Sequence, residues 1–266
     1  MNYSLWIPVR NEAANIRQVI EASLGQNNPP NKVYVCINGS TDWSSKIVDD
    51  MAKSIDNLVP LSSNPGKASA WNRIVQESES EILVFCDGDI RFGSWDTLTR
   101  LTQILTWSDD LLLGASVIQL PSSRTMPYKL RAPSGQLYAL KRTLLEKLKM
   151  YWSIMPEEII NDDLFLALLA YPQVSVTDEV FFYCNKPNIS DTLHTQIRIL
   201  RWIRQVMDMG LSWELDAMIT SSLWEEPDWK KKLKYRLIPT LARLVKPWKN
   251  DTLWKEATST KHTVSL

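Results

Sequence analysis

The sequence predicts an α/β fold with a Rossmann-like, mostly parallel central sheet, flanking helices, a mixed second half and a helical C-terminal extension. In the first 90 residues, short runs rich in Val, Ile, Leu and aromatic residues alternate with segments of helical period. A strand, helix, strand order of this kind requires right-handed crossovers between parallel strands. After position 89 the order becomes irregular, which predicts a mixed rather than a doubly wound second half.

The elements of the first half follow from apolar spacing and from polar residues at the ends of the runs. A first helix is expected after a cap at Asn11, a second after Asp42, and a third over Lys67–Glu79. In a parallel sheet of this kind, ligands bind beyond the carboxyl ends of the strands. The predicted strands are Tyr3–Val9, Lys32–Ile37, Asn57–Leu61 and Glu81–Cys86.

The second half yields three further helices and three strands before a basic tail. The tail from Trp229 to Lys249 holds eight Lys or Arg residues and no acid. We expect one domain over 1–220, with a nucleotide-binding half at about 1–90 and an acceptor half at about 91–220, followed by a basic helical extension over 221–266. The predicted helices lie near 95–107, 162–171 and 193–207, and the predicted strands at 111–120, 135–141 and 174–183.

Composition excludes several classes of protein. Lys plus Arg equals Asp plus Glu at 30 each, so no overall field attracts nucleic acid. The N-terminus lacks the pattern of a secretory signal, and no run of about 18 apolar residues could span a bilayer, so a cytoplasmic location is expected. The cysteines, Cys36, Cys86 and Cys184, are odd in number and lack CxxC spacing, which indicates reduced thiols rather than a zinc site.

The stretch ILVFCDGDI ends a buried strand with two aspartates around one glycine. Asp87 and Asp89 converge if the strand ends at Gly88, because residues two apart share a face. Two carboxylates at a sheet edge form a hard oxygen site for Mg²⁺ or Mn²⁺. Taken alone, the three-residue pattern is common by chance and is more typical of a loop aspartate that caps the next helix.

Three other polar turns are expected at the same edge as DGD. They belong to the segments IPVRNE, INGSTD and NPGK, each of which follows a predicted strand. Four turns that converge on one edge predict a nucleotide pocket with a metal at its mouth.

The ordered set IPVRNE, INGSTD, NPGKASAWN and FCDGD resembles glycosyltransferase family 2, whose members are inverting enzymes of the GT-A fold that use nucleotide sugars. The resemblance continues through SGQLYALKRTLLEKL, INDDLFLALLAY and IRILRWIRQ, and it covers roughly residues 3–205. It implies a metal-dependent glycosyltransferase of glycan biosynthesis, a hexosyl- or N-acetylhexosaminyltransferase, that transfers a single sugar, most simply from a UDP-sugar.

The resemblance also implies roles for single residues on the donor side. By the resemblance, Asp89 would be the direct metal ligand, and Asp87 would contact the ribose or the metal, which would be Mn²⁺ or Mg²⁺. His194 is a candidate further ligand, although a solvent-facing histidine is the simpler interpretation. Asn38 stands where many relatives have an aspartate that faces the base, which leaves the base open. The remaining donor-contacting residues would be Pro8, Asn11, Glu12, Lys67 and Gly135.

On the acceptor side, Asp163 is the expected general base and Asp162 the alternative. A positioned carboxylate that takes the proton of an acceptor hydroxyl typically contributes about 10² to 10⁴ in rate. The simpler interpretation of the pair is two helix N-terminal acids favoured by the macrodipole. Arg198 and Arg201, one turn apart on a helix, would present donors to the diphosphate, with Trp202 beside them at the donor.

Other functions are weighed against this one. A sugar-phosphate nucleotidyltransferase requires a glycine-rich N-terminal turn, which IPVRNE does not offer, and a dinucleotide-dependent oxidoreductase requires GxGxxG, but no GxG occurs. A non-catalytic nucleotide-sugar- or carbohydrate-binding protein remains the third alternative. The expected acceptor is a carbohydrate, a lipid-linked molecule or a small molecule. The segment 229–249 either lies on an anionic inner membrane face as a peripheral contact or packs on the domain.

Overall fold

The computed structural model describes residues 2–120, 133–152, 154–225, 237 and 240–244 of the chain. Among these residues, no helix is both long and apolar enough to cross a membrane.

The first half forms the predicted alternation of parallel strands and helices. Strands β1 and β2 pair in parallel, β3 joins the outer side of β2, and β4 joins the other side of β1. The bounds are β1 Tyr3–Val9, α1 Ile16–Leu24, β2 Lys32–Ile37, α2 Ser44–Ala52, β3 Leu58–Ser62, α3 Lys67–Glu77 and β4 Ile82–Cys86.

The second half extends the same sheet with both strand directions, as predicted for a mixed half. The sheet order is β3-β2-β1-β4-β7-β6-β8-β5, in which β7 is antiparallel to both of its neighbours and β8 runs parallel to β6. The bounds are β5 Arg91–Phe92, α4 Thr97–Trp107, β6 Leu112–Leu120, β7 Leu137–Lys141, α5 Thr143–Tyr151, α6 Asp162–Ala170, β8 Val174–Asn185, α7 Ile189–Asp208 and α8 Ser212–Glu225.

Two hydrophobic cores lie on opposite faces of the sheet, because successive side chains of a strand point to opposite sides. In β4, Leu83 and Phe85 belong to the core beneath α3, α5, α6, α7 and α8. Val84 and Cys86 belong to the core beneath α1, α2 and α4. Asp87 has the parity of Phe85, so the strand directs it towards the face on which α3 and α6 lie.

The structure corrects the predicted cap of the first helix. Asn11 does not cap α1, which begins only at Ile16. Its backbone is left-handed, with φ of 56°, and its Oδ1 accepts a hydrogen bond from the Thr41 N–H at 2.8 Å. Because asparagine tolerates this conformation, the residue ties the β1 turn to the β2 turn instead.

The predicted boundary at residue 220 falls inside α8, so the helix joins the two predicted domains. The described part of the extension also packs on the domain. Ala242 is fully buried, and the Arg243 carbonyl accepts a hydrogen bond from Arg204 Nη1 of α7 at 3.3 Å. Most of the basic segment 229–249 lies outside the described residues. The short strand β5 and the helix α8 were not predicted from apolar periodicity.

Candidate active site

The polar turns predicted to share one sheet edge do converge there. The Asn11 N–H donates to Ser40 Oγ at 3.1 Å, and the Glu12 N–H donates to Ser44 Oγ at 2.8 Å, so the β1 turn is bound to the segment after β2. A Cβ on Gly39 would lie 2.9 Å from Pro65 Cγ, which brings the β2 turn against the β3 turn.

Glycine at position 88 is required by the close approach of the first turn to DGD. A Cβ there would lie 2.9 Å from Glu12 Cγ, and both residues are buried. Glu12, predicted to border the ribose or base, therefore lies against the DGD turn. The Asp87 N–H still continues the ladder to β7 by donating to the Gln136 carbonyl at 2.8 Å. Pro8, predicted to border the nucleoside, is half-buried near the end of β1.

Lys67 lies at the centre of the site, at the first residue of α3. Its Nζ is 3.0 Å from Asp87 Oδ1 and 3.8 Å from Asp162 Oδ1. It also donates to the Gly135 carbonyl at 2.9 Å. One ammonium group thus joins the DGD turn, the segment before β7 and the start of α6.

Asp163 is held by the backbone of Gly135, whose N–H donates to Asp163 Oδ2 at 2.8 Å. A Cβ at position 135 would lie 2.9 Å from both Cγ and Oδ2 of Asp163, so only glycine allows this contact at its present geometry. Gly135 therefore contacts Asp163, the predicted general base.

Asp162 has a hydrogen-bond partner in β7. Its Oδ2 accepts a hydrogen bond from the Tyr138 hydroxyl at 3.3 Å, and both residues are buried. Tyr138 was missed in the sequence. Its signal was the alternation in β7, since Tyr138 and Leu140 share the face that packs on α6.

The charges and the burial of the cluster shift the pKa values of Asp163, Asp87 and Lys67. Burial and the neighbouring Asp162 raise the pKa of Asp163 to about 6, although Lys67 and Arg198 act in the opposite direction. Burial also raises the pKa of Asp87 in spite of its ion pair with Lys67. Burial alone would lower the pKa of Lys67, but Asp162, Asp87 and Asp163 together hold it above its usual value. A carboxyl group with a pKa near 6 suits general base chemistry at neutral pH.

The residues predicted to hold a metal offer two carboxylates. Asp87 is half-buried, and Asp89 is buried with 7% of its surface exposed, in the turn directly after β4. Across the described part of the chain, no group of three His, Cys, Asp or Glu side chains forms a complete metal cage. His194 lies exposed on α7. The oxygen donors of Asp87 and Asp89 fit Mg²⁺ or Mn²⁺, with further ligands from a diphosphate and water.

Helix α7 carries Arg198 and Arg201, the two arginines predicted to bind the diphosphate. Arg198 is close enough to influence the pKa values of Asp87 and Asp163, and Arg201 lies one turn further on and is half-buried. Trp202 is only 2% exposed and belongs to the core on the α6 side of the sheet. Its position on the helix therefore faces the core, and its predicted contact with the donor stays a prediction.

Asn38 lies at the end of β2, where its N–H donates to the Val9 carbonyl at 3.0 Å. Its side chain is 3% exposed, and its Oδ1 has no hydrogen-bond partner within the described structure. A buried acceptor of this kind is usually satisfied by a water or a ligand.

Solved structures with the same fold include two sugar-nucleotide complexes. The mannosyltransferase PcManGT from Pyrobaculum calidifontis, in complex with GDP-Man and Mn²⁺, aligns over 93% of this chain and 76% of its own, with a TM-score of 0.64 and 18% identity. TarS 1–349 from S. aureus, in complex with UDP-GlcNAc, aligns over 91% and 72%, with a TM-score of 0.59 and 16% identity. These likenesses establish the GT-A fold of the chain.

Sequence relatives match over shorter segments. Glycosyltransferase AglE of Haloferax volcanii is 37% identical over 90 residues, which are 32% of this chain and only 30% of the length of AglE. Protein RfbJ of Shigella flexneri is 26% identical over 113 residues, which are 42% of this chain and 84% of RfbJ.

The family description "Glycosyl transferase family 2" matches residues 4–156, more than half of the chain. This span contains the four turns, Lys67, the DGD carboxylates and Gly135. The chain therefore belongs to glycosyl transferase family 2 and is a glycosyltransferase of the GT-A fold.

Proposed function

We propose that this glycosyltransferase moves a single sugar from a nucleotide sugar, a UDP-sugar in the simplest case, to an acceptor hydroxyl with inversion at the anomeric carbon. Asp163 acts as the general base, and Asp87 and Asp89 hold a divalent cation at the donor diphosphate.

The contacts of Lys67 are the observation that supports this proposal most directly. Lys67 is paired with Asp87 of the DGD turn and donates to the Gly135 carbonyl, and the Gly135 N–H holds Asp163. The acids assigned to the donor phosphates and to the acceptor thus belong to one connected cluster. A bound sugar between them would have its phosphates on one side and the incoming alcohol on the other.

In the proposed step, the acceptor hydroxyl transfers its proton to Asp163 while its oxygen forms a bond to the anomeric carbon. The bond between that carbon and the phosphate oxygen breaks on the opposite face, and its electron pair leaves with the nucleoside diphosphate. Because one displacement occurs, the configuration inverts. Asp163 is suited to the role because burial and Asp162 place its pKa at about 6, so about nine tenths of it is ionised at pH 7.

The charge that develops on the leaving diphosphate requires cationic partners. Asp87 and Asp89 would hold a divalent ion, which would supply electrostatic stabilisation of that charge when bound. Lys67, Arg198 and Arg201 add charged hydrogen-bond donors from α3 and α7. PcManGT in its complex with Mn²⁺ supports the choice of ion by analogy of fold.

The base of the donor is assigned through Asn38. Its buried Oδ1 is an acceptor, which suits the N–H of uracil, and its amide suits the neighbouring carbonyl. The two structural neighbours carry GDP-Man and UDP-GlcNAc, so the fold is compatible with either nucleoside. Calorimetry with UDP and GDP in the presence of Mn²⁺ tests the assignment, and clearly tighter binding of GDP would contradict it.

Two substitutions separate donor binding from base catalysis. Asp89→Ala should abolish the Mn²⁺-dependent part of nucleotide binding, measured by calorimetry with and without the ion. Asp163→Asn should retain that binding, because the amide oxygen can still accept from the Gly135 N–H, but should lower the rate of transfer about 10² to 10⁴-fold. The rate is measured by mass analysis of products from a donor screen with cell extract as acceptor source.

The matched control is Asp178→Asn, an exposed acid of β8 that lies outside the cluster. It should leave both binding and transfer unchanged. Normal transfer by Asp163→Asn would reject the base assignment, and metal-independent binding in the unmodified protein would reject the metal assignment.

The acceptor side remains a class rather than a compound: a carbohydrate, lipid-linked or small-molecule alcohol. We retain peripheral membrane contact through 229–249 as a prediction. Flotation of the full chain with anionic and with neutral vesicles tests it.

A further inference from the structure

A cavity with a volume of about 300 Å³ lies between α1 and the β5 segment. It shares no lining residue with the cluster of Lys67, Asp87, Asp162, Asp163 and Gly135. Its wall includes apolar side chains and a small number of polar groups, which is the usual composition of a small-ligand site. The volume is sufficient for one sugar ring with a substituent.

Arg91 is the charged residue of this wall, and no carboxylate lines the cavity among the described residues. Its Nε is shielded from solvent and has no hydrogen-bond partner in the described structure. Arg91 as a whole is half-buried, but a shielded donor atom without a partner is costly, and an anion in the cavity that reached this nitrogen would satisfy it. The planar guanidinium fork matches a carboxylate or a phosphate.

Trp95 supplies an aromatic platform at the same cavity, with 65% of its surface exposed. Its backbone is fixed, because the Asn27 N–H donates to the Trp95 carbonyl at 2.7 Å. Gln26 holds the residues on either side of Trp95. Its Nε2 donates a hydrogen bond to the Ser94 carbonyl at 3.2 Å, and its Oε1 accepts one from the Leu98 N–H at 2.9 Å. An exposed indole on an ordered backbone loses little freedom when a ligand packs on it.

We propose that this cavity is an accessory binding site for a sugar unit that carries a carboxylate or a phosphate. Arg91 binds the anionic group, and Trp95 packs against the C–H face of the ring. Gln18, on the same wall, adds an amide for ring hydroxyls. Membership of a glycosyltransferase family makes an anionic glycan the expected source, and the site operates without nucleotide or metal.

The test is a ligand-observed NMR titration of the full chain without nucleotide or metal. The probes are methyl β-glucuronoside, glucose 6-phosphate, methyl β-glucoside and inorganic phosphate. We expect at least one charged sugar to bind, with the neutral glucoside and phosphate alone at least about tenfold weaker. Arg91→Gln and Trp95→Ala should each weaken that binding about tenfold or more, the size expected for a lost charged hydrogen bond or ring contact.

The cavity offers a blocking variant that keeps both binding side chains. Gly25 lines it with φ of −81°, a conformation open to any residue, and a Cβ there would meet the Glu21 carbonyl oxygen at an ordinary 3.4 Å. Gly25→Leu should therefore fold with an unchanged melting temperature and lose the charged sugar. Trp107→Ala and Arg100→Gln, which alter exposed residues outside the cavity, should bind it normally.

Three outcomes would overturn the proposal. Absence of binding by both charged sugars, equal binding of inorganic phosphate, or unchanged binding in a folded Gly25→Leu would each do so. Failure here leaves nucleotide binding and transfer untouched, because those depend on Asp89 and Asp163, so the two proposals fail separately.

Discussion

Asp163 shows how one side chain acquires its chemistry from its surroundings. Burial and the second acid of α6 raise its pKa to about 6, while Lys67 and Arg198 limit the rise. The neighbouring Asp162 instead accepts a hydrogen bond from the Tyr138 hydroxyl, and its Oδ1 lies 3.8 Å from Lys67 Nζ. The neighbouring acids therefore have different partners, and the one bound to the Gly135 N–H is the proposed base.

This difference predicts the pH dependence of transfer. The base must be ionised, so kcat/KM should be constant above about pH 7 and should fall tenfold per unit below about pH 6. The measurement is initial rate against pH at low donor concentration, with calorimetry to confirm that donor binding persists. A flat profile between pH 5 and 7 would contradict assignment of the base to Asp163.

At the scale of elements, the site is made by the turns that follow the parallel strands, and glycines allow those turns to meet. Gly88 admits Glu12, and Gly135 admits Asp163. The pleat of β4 directs Asp87 to the α3 face, and the start of α3 places Lys67 beside it at 3.0 Å. Strand order and helix start thus set the position of each charge before any ligand binds.

The contact at Gly135 predicts a loss of activity in Gly135→Ala. The added Cβ would lie 2.9 Å from the Asp163 carboxyl group, so the base must move. We expect kcat to fall about 10 to 10²-fold, since displacement of a catalytic group by about 1 Å has this effect. Steady-state kinetics provide the test, with thermal unfolding to verify the fold.

Gly210→Ala is the matched control for this variant. Gly210 has φ of +82° and no atom within 4 Å of its would-be Cβ. It should lose about 1 kcal/mol of stability through backbone strain, with kcat unchanged. Normal kcat in Gly135→Ala would show that the contact does not position the base.

At the scale of the whole molecule, an aromatic column connects the core to the site. The Phe85 ring stacks on the rings of Tyr138 and Trp71, with ring centroids 4.9 Å and 5.6 Å apart. The rings of Phe85 and Trp6 form a T-shaped pair with centroids 4.8 Å apart. Tyr138 in turn binds Asp162. The core beneath α3 and α6 therefore supports Asp162 directly, through the Tyr138 hydroxyl.

Truncation of the column predicts a large loss of stability. Phe85→Ala removes a buried ring and leaves a cavity, which should lower the free energy of unfolding by about 3 to 5 kcal/mol. Trp107→Ala, where the ring is 79% exposed, should change it by less than about 0.5 kcal/mol. Denaturant titration distinguishes the two, and similar values would show that the column is not part of the cooperative core.

The sequence by itself determined the parallel first half, the four turns and the pair of acids at 162 and 163, because apolar period and turn residues are local signals. It also located Asp87 and Lys67 at strand and helix ends. The family resemblance drawn from these motifs is confirmed. The predicted cap at Asn11 was wrong, because the Asn11 side chain bonds the β2 turn instead of the start of α1. The domain boundary at 220 and the donor contact of Trp202 stay predictions.

Only the tertiary structure decided which atoms meet. It brought the Lys67 ammonium group into contact with Asp87, Asp162 and Gly135. It also paired the Tyr138 hydroxyl with Asp162 and the Gly135 N–H with Asp163. It also brought Arg91 and Trp95 to one cavity with α1. The physical reason is that these contacts join residues far apart in the chain, whose distances are set by strand order and core packing and leave no periodic trace in the sequence.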